Sequence, residues 1–275
     1  MVKKAKTKAK KAKRIKKAIK PRIGIQSITG CAGCQLSIYF LADTLLELLD
    51  KIDLVAAPMI KGKNQEGDYD ILFVEGSVSS KQDLDNLLKW RKQAKFLIAL
   101  GTCASHGCMQ SIKHMMNEQE VEKNVYNKFP SDIRLKPITA VPLHKHVQVD
   151  FYIPGCPPYK KEIAKTIKWL LQGRKPLVYD KAVCHECSLK ENYCLLDQDI
   201  ECLGPLTNGS CKSLCPDFNH PCTGCRGLLD DANLGSGKEM LKDKGFDPDM
   251  IIKRMTKYNA LQFLEIENKP KEEKK

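Results

Sequence analysis

Eight of the thirteen cysteines of this chain fall between Cys184 and Cys225, and no other feature restricts its fold so tightly. Gly, Pro and Asn are dense in the same stretch, and apolar periodicity fades after Pro176. The segment is therefore expected to lack a core of its own and to be held by bound metal, whose binding energy becomes folding energy. The odd cysteine count argues against a disulfide framework, and so does a reducing compartment. That compartment is expected because the basic N-terminus has no apolar stretch after its charges. Nor does any run reach the ~18 consecutive apolar residues of a membrane span. Cytoplasmic residence is the expectation.

The formal net charge of +13 suggests nucleic acid until the charge is located. Ten Lys and two Arg lie in the first 22 residues, with no acid among them, leaving 34 basic against 33 acidic residues in the rest. The basicity belongs to a tail too polar and self-repelling to order itself, so residues 1–22 are expected to be disordered. The folded body is nearly neutral, and a nucleic-acid partner is not expected.

From residue 23 to 175, short β-branched runs alternate with segments of helical period, the pattern of a parallel sheet covered by helices. Strands are expected at Ile23 to Thr29, Asp53 to Pro58, Ile71 to Val74, Phe96 to Leu100 and Phe151 to Ile153. Helices are expected at Leu36 to Leu49, Lys81 to Arg91 and Lys160 to Leu171, the last entered through Pro157 and Pro158. A further amphipathic segment, Asp249 to Leu264, should pack back on the body, and residues 266–275 should fray.

Each cysteine of the first half stands at or past the carboxyl end of a strand: Cys31, Cys103 in Gly101-Thr102-Cys103, and Cys156 in Gly155-Cys156-Pro157-Pro158. In open α/β sheets those ends line the ligand crevice, so three distant loops converge there, and Cys34 joins through Cys31-Ala32-Gly33-Cys34. Four thiolates suit zinc or an iron-sulfur cluster. Only one pair is close in sequence, which favours the larger group, and the surrounding glycines permit close backbone approach. The second array divides by order into Cys184, Cys187, Cys194, Cys202 and Cys211, Cys215, Cys222, Cys225. Spacing alone leaves open an exchange of Cys202 or Cys211, and it leaves open two zinc ribbons.

Six motifs in series resemble the small, electron-transferring subunit of nickel-iron hydrogenases. They are Gly30-Cys31-Ala32-Gly33-Cys34, Val74-Glu75-Gly76, Gly101-Thr102-Cys103-Ala104, Gly155-Cys156-Pro157-Pro158, Cys202-Leu203-Gly204-Pro205 and His220-Pro221-Cys222-Thr223-Gly224-Cys225. The nearest likeness is to the cytoplasmic group that includes the F420-reducing and the heterodisulfide-reductase-linked, F420-non-reducing enzymes of archaea. The resemblance implies an α/β fold, a flavodoxin-like parallel sheet over 23–175, followed by an irregular cysteine-rich cluster domain over 176–265. It implies three 4Fe-4S clusters: proximal on Cys31, Cys34, Cys103 and Cys156, distal on Cys184, Cys187, Cys194 and Cys202, medial on Cys211, Cys215, Cys222 and Cys225. The implied partners are a nickel-iron large subunit, which activates hydrogen, and an electron-acceptor subunit linked to F420, a nicotinamide or a heterodisulfide reductase. By the same analogy Glu75 stands beside the proximal site as a residue for proton movement.

Two departures from the family pattern bear on this. Cys184 stands where many relatives have His, and Cys215 supplies a fourth medial thiolate, so all three clusters are expected to be four-iron and of low potential. Cys108 matches one of two extra cysteines of oxygen-tolerant relatives, but Gly33 stands at the second position. Oxygen tolerance is therefore not expected, and Cys108 reads as a neighbour of the cluster. His106 and His220 lie close enough in sequence to donate hydrogen bonds to cluster sulfur, while His185 reads as a surface residue. The cluster subunit of respiratory complex I is the rival within the same fold, set aside for lack of its adjacent cysteine pair and for the eight-cysteine tail. A zinc-stabilised nucleic-acid binder leaves Cys31, Cys103 and Cys156 without a role. A flavin carrier would need a phosphate loop where Cys31 to Cys34 stand.

Overall fold

The computed structural model describes residues 20–117, 120, 121, 123, 125 and 138–268. The expected basic tail thus lies outside the described residues up to residue 19, and the expected terminal fray lies outside them from 269 onward. Both boundaries shift slightly. Arg22 already opens the first strand, its amide donating to Asp70 Oδ2 at 2.8 Å, and the last helix runs to Glu267.

Five strands, β1 (Arg22–Ser27), β2 (Asp53–Ala56), β3 (Tyr69–Glu75), β4 (Ala94–Leu100) and β5 (Phe151–Ile153), form one sheet in the order β2-β1-β3-β4-β5. Every pairing is parallel, which is the doubly wound, flavodoxin-like order. The register carries Ile25 beside Phe73 and Phe73 beside Ile98, so alternate residues address opposite faces. Ile71, Phe73, Ile98 and Leu100 enter one core, under α1 (Gly33–Tyr39), α2 (Asp43–Leu49) and α5 (Lys160–Leu171). Leu72, Val74, Leu97 and Ala99 enter the other, under Leu87 and Trp90 of α3 (Lys81–Gln93). Burial on both faces is why these strands read as unbroken apolar runs. Helix α3 starts where it does because Ser80 and Asp83 form a reciprocal capping box.

The single helix expected over Leu36 to Leu49 is two, α1 and α2. Ala42 adopts φ 49° between them, a left-handed reversal that a hydrophobic period does not register. Between β4 and β5 come α4 (Gly101–His106) and a 3-10 segment over Cys108–Met115, neither expected from the period.

A larger correction concerns the cysteine-rich half, which does have an apolar core. Val183, Leu195, Leu196, Leu203, Leu206 and Leu228 from the irregular stretch pack with Leu234, Leu241, Ile251, Met255 and Phe263. The second group comes from three helices, α8 (Leu234–Asp243), α9 (Pro248–Thr256) and α10 (Ala260–Glu267). Helix α8 was not expected, and the segment read as one helix from Asp249 to Leu264 is α9 and α10. Sparse leucines make no periodic signal of their own. They form a core only because helices later in the chain cover them. Within the stretch lie α6 (Val183–Ser188) and α7 (Leu214–Asp217).

Candidate functional site

The sheet gathers the first four cysteines at its carboxyl edge. Cys31 precedes α1 and Cys34 lies within it, while Cys103 sits in α4 past β4 and Cys156 follows β5. The loops after β1 and β3 flank the switch point of the strand order, where this fold binds its ligands. The buried Cys34 thiol is pushed well up, first by burial, then by the charges of Glu75, Cys103, Cys156 and Cys31. The other three cysteines of the set therefore stand within electrostatic reach of Cys34.

Glycines let the backbone come this close. A Cβ at Gly101, which has φ +84°, would fall 2.2 Å from Cys34 Sγ, and one at Gly33 would fall 3.3 Å from Cys31 Sγ. Glu75, 1% exposed, accepts from the amides of Cys34 at 3.4 Å and Gln35 at 3.1 Å, so its carboxylate is engaged at the start of α1. Cys108, buried and at φ 51°, is hydrogen-bonded to the Cys103 and Cys156 thiols. Cys108 is the partner pushed up. Cys103 goes down, and Cys156 goes down to about 7, both chiefly through that contact.

Cys184, Cys187, Cys194 and Cys202 make a second set. Burial first, then the charges of the other three, push Cys184 up to about 12. Gly204 backs it, since a Cβ there would lie 3.1 Å from Cys184 Sγ and 3.5 Å from Cys202 Sγ. Asn192 Nδ2 donates to Cys187 Sγ at 3.6 Å and to Asp217 Oδ1 at 2.8 Å, tying this set to α7.

Cys211, Cys215, Cys222 and Cys225 make the third. They line, together with Cys156, a cavity of about 650 Å³ beside Thr207 and Arg226. Burial pushes Cys211 up to about 11, opposed by the Arg226 charge and reinforced by Glu186 and Cys225. Cys225 is raised by burial and in turn feels Cys215. Backbone amides reach the sulfurs: Gly224 to Cys222, Leu214 to Cys211 and Cys156 to Cys225.

The sets adjoin in the order first, third, second. Besides the Cys156 amide on Cys225, the Cys222 amide donates to Cys202 Sγ at 3.3 Å. Arg226, whose side chain is 5% exposed, clamps the two halves of the molecule. Its Nη1 and Nη2 grip Glu162 of α5 at 2.7 and 3.0 Å, and Nη1 also donates to Pro154 O at 2.6 Å. Sequence reading missed Arg226, because nothing local to it signals a partner 64 residues away.

His106 packs, half-buried, against Gly227 and is hydrogen-bonded to the Arg226 backbone, and its desolvation first, then His144, lowers it to about 4. It faces that backbone rather than a cysteine. His220 and His185 are exposed.

These donors fit an iron-sulfur group. All twelve are thiols, from buried Cys34, Cys202 and Cys222 to exposed Cys31 and Cys194, and thiolates gathered in sets of four repel one another, so they need cationic metal to be charged together. The third set lines a cavity rather than one point, and among the described residues no group of three or more His, Cys, Asp or Glu side chains closes tightly enough for a single ion. Among the same residues no helix is long and apolar enough to cross a membrane.

Comparison with known proteins gives a consistent picture. Residues 31–170 match the family described as NADH ubiquinone oxidoreductase, 20 Kd subunit. The delta subunit of sulfhydrogenase 2 from Pyrococcus furiosus is 38% identical over 81% of this chain and 92% of that protein. A vhu subunit of the F420-non-reducing hydrogenase from Methanococcus voltae is 32% identical over 78% of this chain and 84% of that protein. Among solved structures, one chain of an NAD+-reducing [NiFe]-hydrogenase in the H2-reduced state is 29% identical. It superposes with TM-score 0.53 over 58% of this chain and 95% of its own. A chain of the [NiFeSe] hydrogenase from Desulfovibrio vulgaris Hildenborough, 18% identical with TM-score 0.55 over 80% of this chain and 97% of its own, shares the fold.

Proposed function

Because this chain belongs to the family of nickel-iron hydrogenase small subunits, built on the α/β domain of the 20 Kd subunit family, we propose that it relays electrons through three 4Fe-4S clusters. It would do so between the nickel-iron site of a large subunit and an acceptor subunit. Cys31, Cys34, Cys103 and Cys156 hold the proximal cluster, Cys211, Cys215, Cys222 and Cys225 the medial, and Cys184, Cys187, Cys194 and Cys202 the distal. Bound there, the clusters supply one-electron exchange at low potential, as all-thiolate ligation favours.

The protein's own part is to fix, bury and hydrogen-bond the sulfurs. Residues 23–175 set the first site on a sheet edge, and residues 176–265 hold the other two around their own core. The acceptor subunit is F420-, nicotinamide- or heterodisulfide-reductase-linked, and the complex resides in the cytoplasm. The observation that supports this reading best is the spatial order of the thiol sets, joined by amide-to-sulfur hydrogen bonds from Cys156 to Cys225 and from Cys222 to Cys202.

The test is made on the anaerobically purified complex with its large subunit. Cys156→Ala is expected to abolish hydrogen-dependent reduction of a viologen dye while hydrogen-deuterium exchange on the gas continues. Dye reduction at the wild-type rate in that variant would contradict the proposal.

A further inference from the structure

We infer that Thr102 is a positioning residue that clamps the third cysteine set onto the first. The inference rests on the cluster reading above and concerns a side chain that is not itself a ligand. Thr102 is 1% exposed and stands between Gly101, which backs Cys34, and Cys103. Its amide donates to Gly155 O at 3.1 Å, and its Oγ1 accepts from Gly155 N at 2.9 Å. The same hydroxyl donates to the backbone oxygen of Cys225, 123 residues away.

One side chain therefore holds three pieces together: the end of β4 with Cys103, the loop with Gly155 and Cys156, and the loop with Cys225. The hydroxyl acts as acceptor and donor at once, a capacity valine lacks at the same volume. Valine would leave the Gly155 amide and the Cys225 carbonyl without this partner in a buried place, so the two loops would separate. Arg226 also crosses from the Cys225 loop to Pro154 and Glu162, so the halves would remain joined. What loosens is the approach of the Cys156 amide to the Cys225 sulfur. Hydrogen bonds to cluster sulfur help to set potential by stabilising the more negative, reduced state. Stretching this one lowers the potential of the group on Cys211, Cys215, Cys222 and Cys225 and weakens its magnetic interaction with the group on Cys156.

The experiment compares wild type, Thr102→Val and Thr102→Ser in the anaerobically purified complex by iron analysis, EPR-monitored redox titration and amide hydrogen exchange. Thr102→Val is expected to shift the medial midpoint to more negative potential and to shrink the splitting from the proximal neighbour. It should also speed exchange at the amides of 154–156 and 224–227. Thr102→Ser, which keeps the hydroxyl, should restore all three. Unchanged potential, splitting and exchange in an iron-replete Thr102→Val would overturn the inference, as would a Thr102→Ser that behaves like Thr102→Val. If Thr102→Val does not assemble, the serine variant still decides. A wild-type complex without iron would overturn the cluster reading itself, and the exchange rates, which need no iron, would then judge the clamp alone.

Discussion

The sheet half of the molecule sets its four thiols just past strands that are packed on both faces, whereas the other half sets eight in short helices and turns. Cys31, Cys103 and Cys156 follow strands whose side chains fill a core on each face. In the cysteine-rich half, Asp199, Ser210, Lys212, Ser213 and Asn219 all have positive φ. Such conformations each cost of order 1–3 kcal/mol and persist only where the surroundings dictate them. The apolar core of that half lies under Cys202 and Cys222. The segment from Ser210 to Asn219 has instead a polar clasp, in which Asp217 accepts from Lys190, Asn192 and Ser213. The contrast teaches that the first cysteine set rests on a packed sheet, while the segment that carries Cys211 and Cys215 rests on polar contacts and on what its thiols bind.

Iron removal should divide the halves most sharply. After anaerobic chelation, amide exchange in 207–225 is expected to rise by roughly 100-fold or more, the loss of about 3 kcal/mol of local stability, while β1, β3 and β4 stay protected. Uniform loss of protection would break the comparison, because it would mean that the sheet also needs metal.

The next largest effect is at the clamp between the halves. Arg226→Met leaves Glu162 buried without its partner, and breaking a buried pair in this way costs about 3–5 kcal/mol. Arg226→Met combined with Glu162→Met should recover much of that loss in thermal denaturation. If single and double variants melt alike, the pair does not couple the halves.

His106, wedged beneath Gly227, gives a smaller and pH-dependent effect. Its folded value of about 4 lies below the ordinary ~6.5, so the unfolded chain binds the proton more readily. Stability is full above pH ~6.5 and falls as pH drops toward 4, by about 3 kcal/mol at most. His106→Gln should flatten the wild-type difference between pH 6.5 and 4 in denaturant melts. A parallel slope in the variant would assign the acid sensitivity to other groups.

Much of the sheet was legible in the sequence because strands buried on both faces carry continuous apolar runs, as Ile71 to Val74 does. The end residues were not, since Asp70 separates buried Tyr69 from the apolar run and Glu75 is charged, and both join β3 through ladder pairing with Ala94 and Leu100. Helix α8 escaped because Gly235 and Gly237 oppose a helix. The available signal was Asn233, whose side chain accepts from the Ser236 amide as an N-cap. The division of the thiols by chain order was a reading of spacing, whereas which sets adjoin was implied by the family resemblance alone. That order depends on contacts such as Thr102 with Cys225 and Cys222 with Cys202, which no local spacing encodes.

The most direct test of the account is iron, acid-labile sulfide and zinc measured together on the anaerobically purified complex, corrected for metal bound by the large subunit. The account predicts about twelve irons per copy of this chain with matching sulfide, the sum of three four-iron clusters. Two or three zincs with little iron would contradict it.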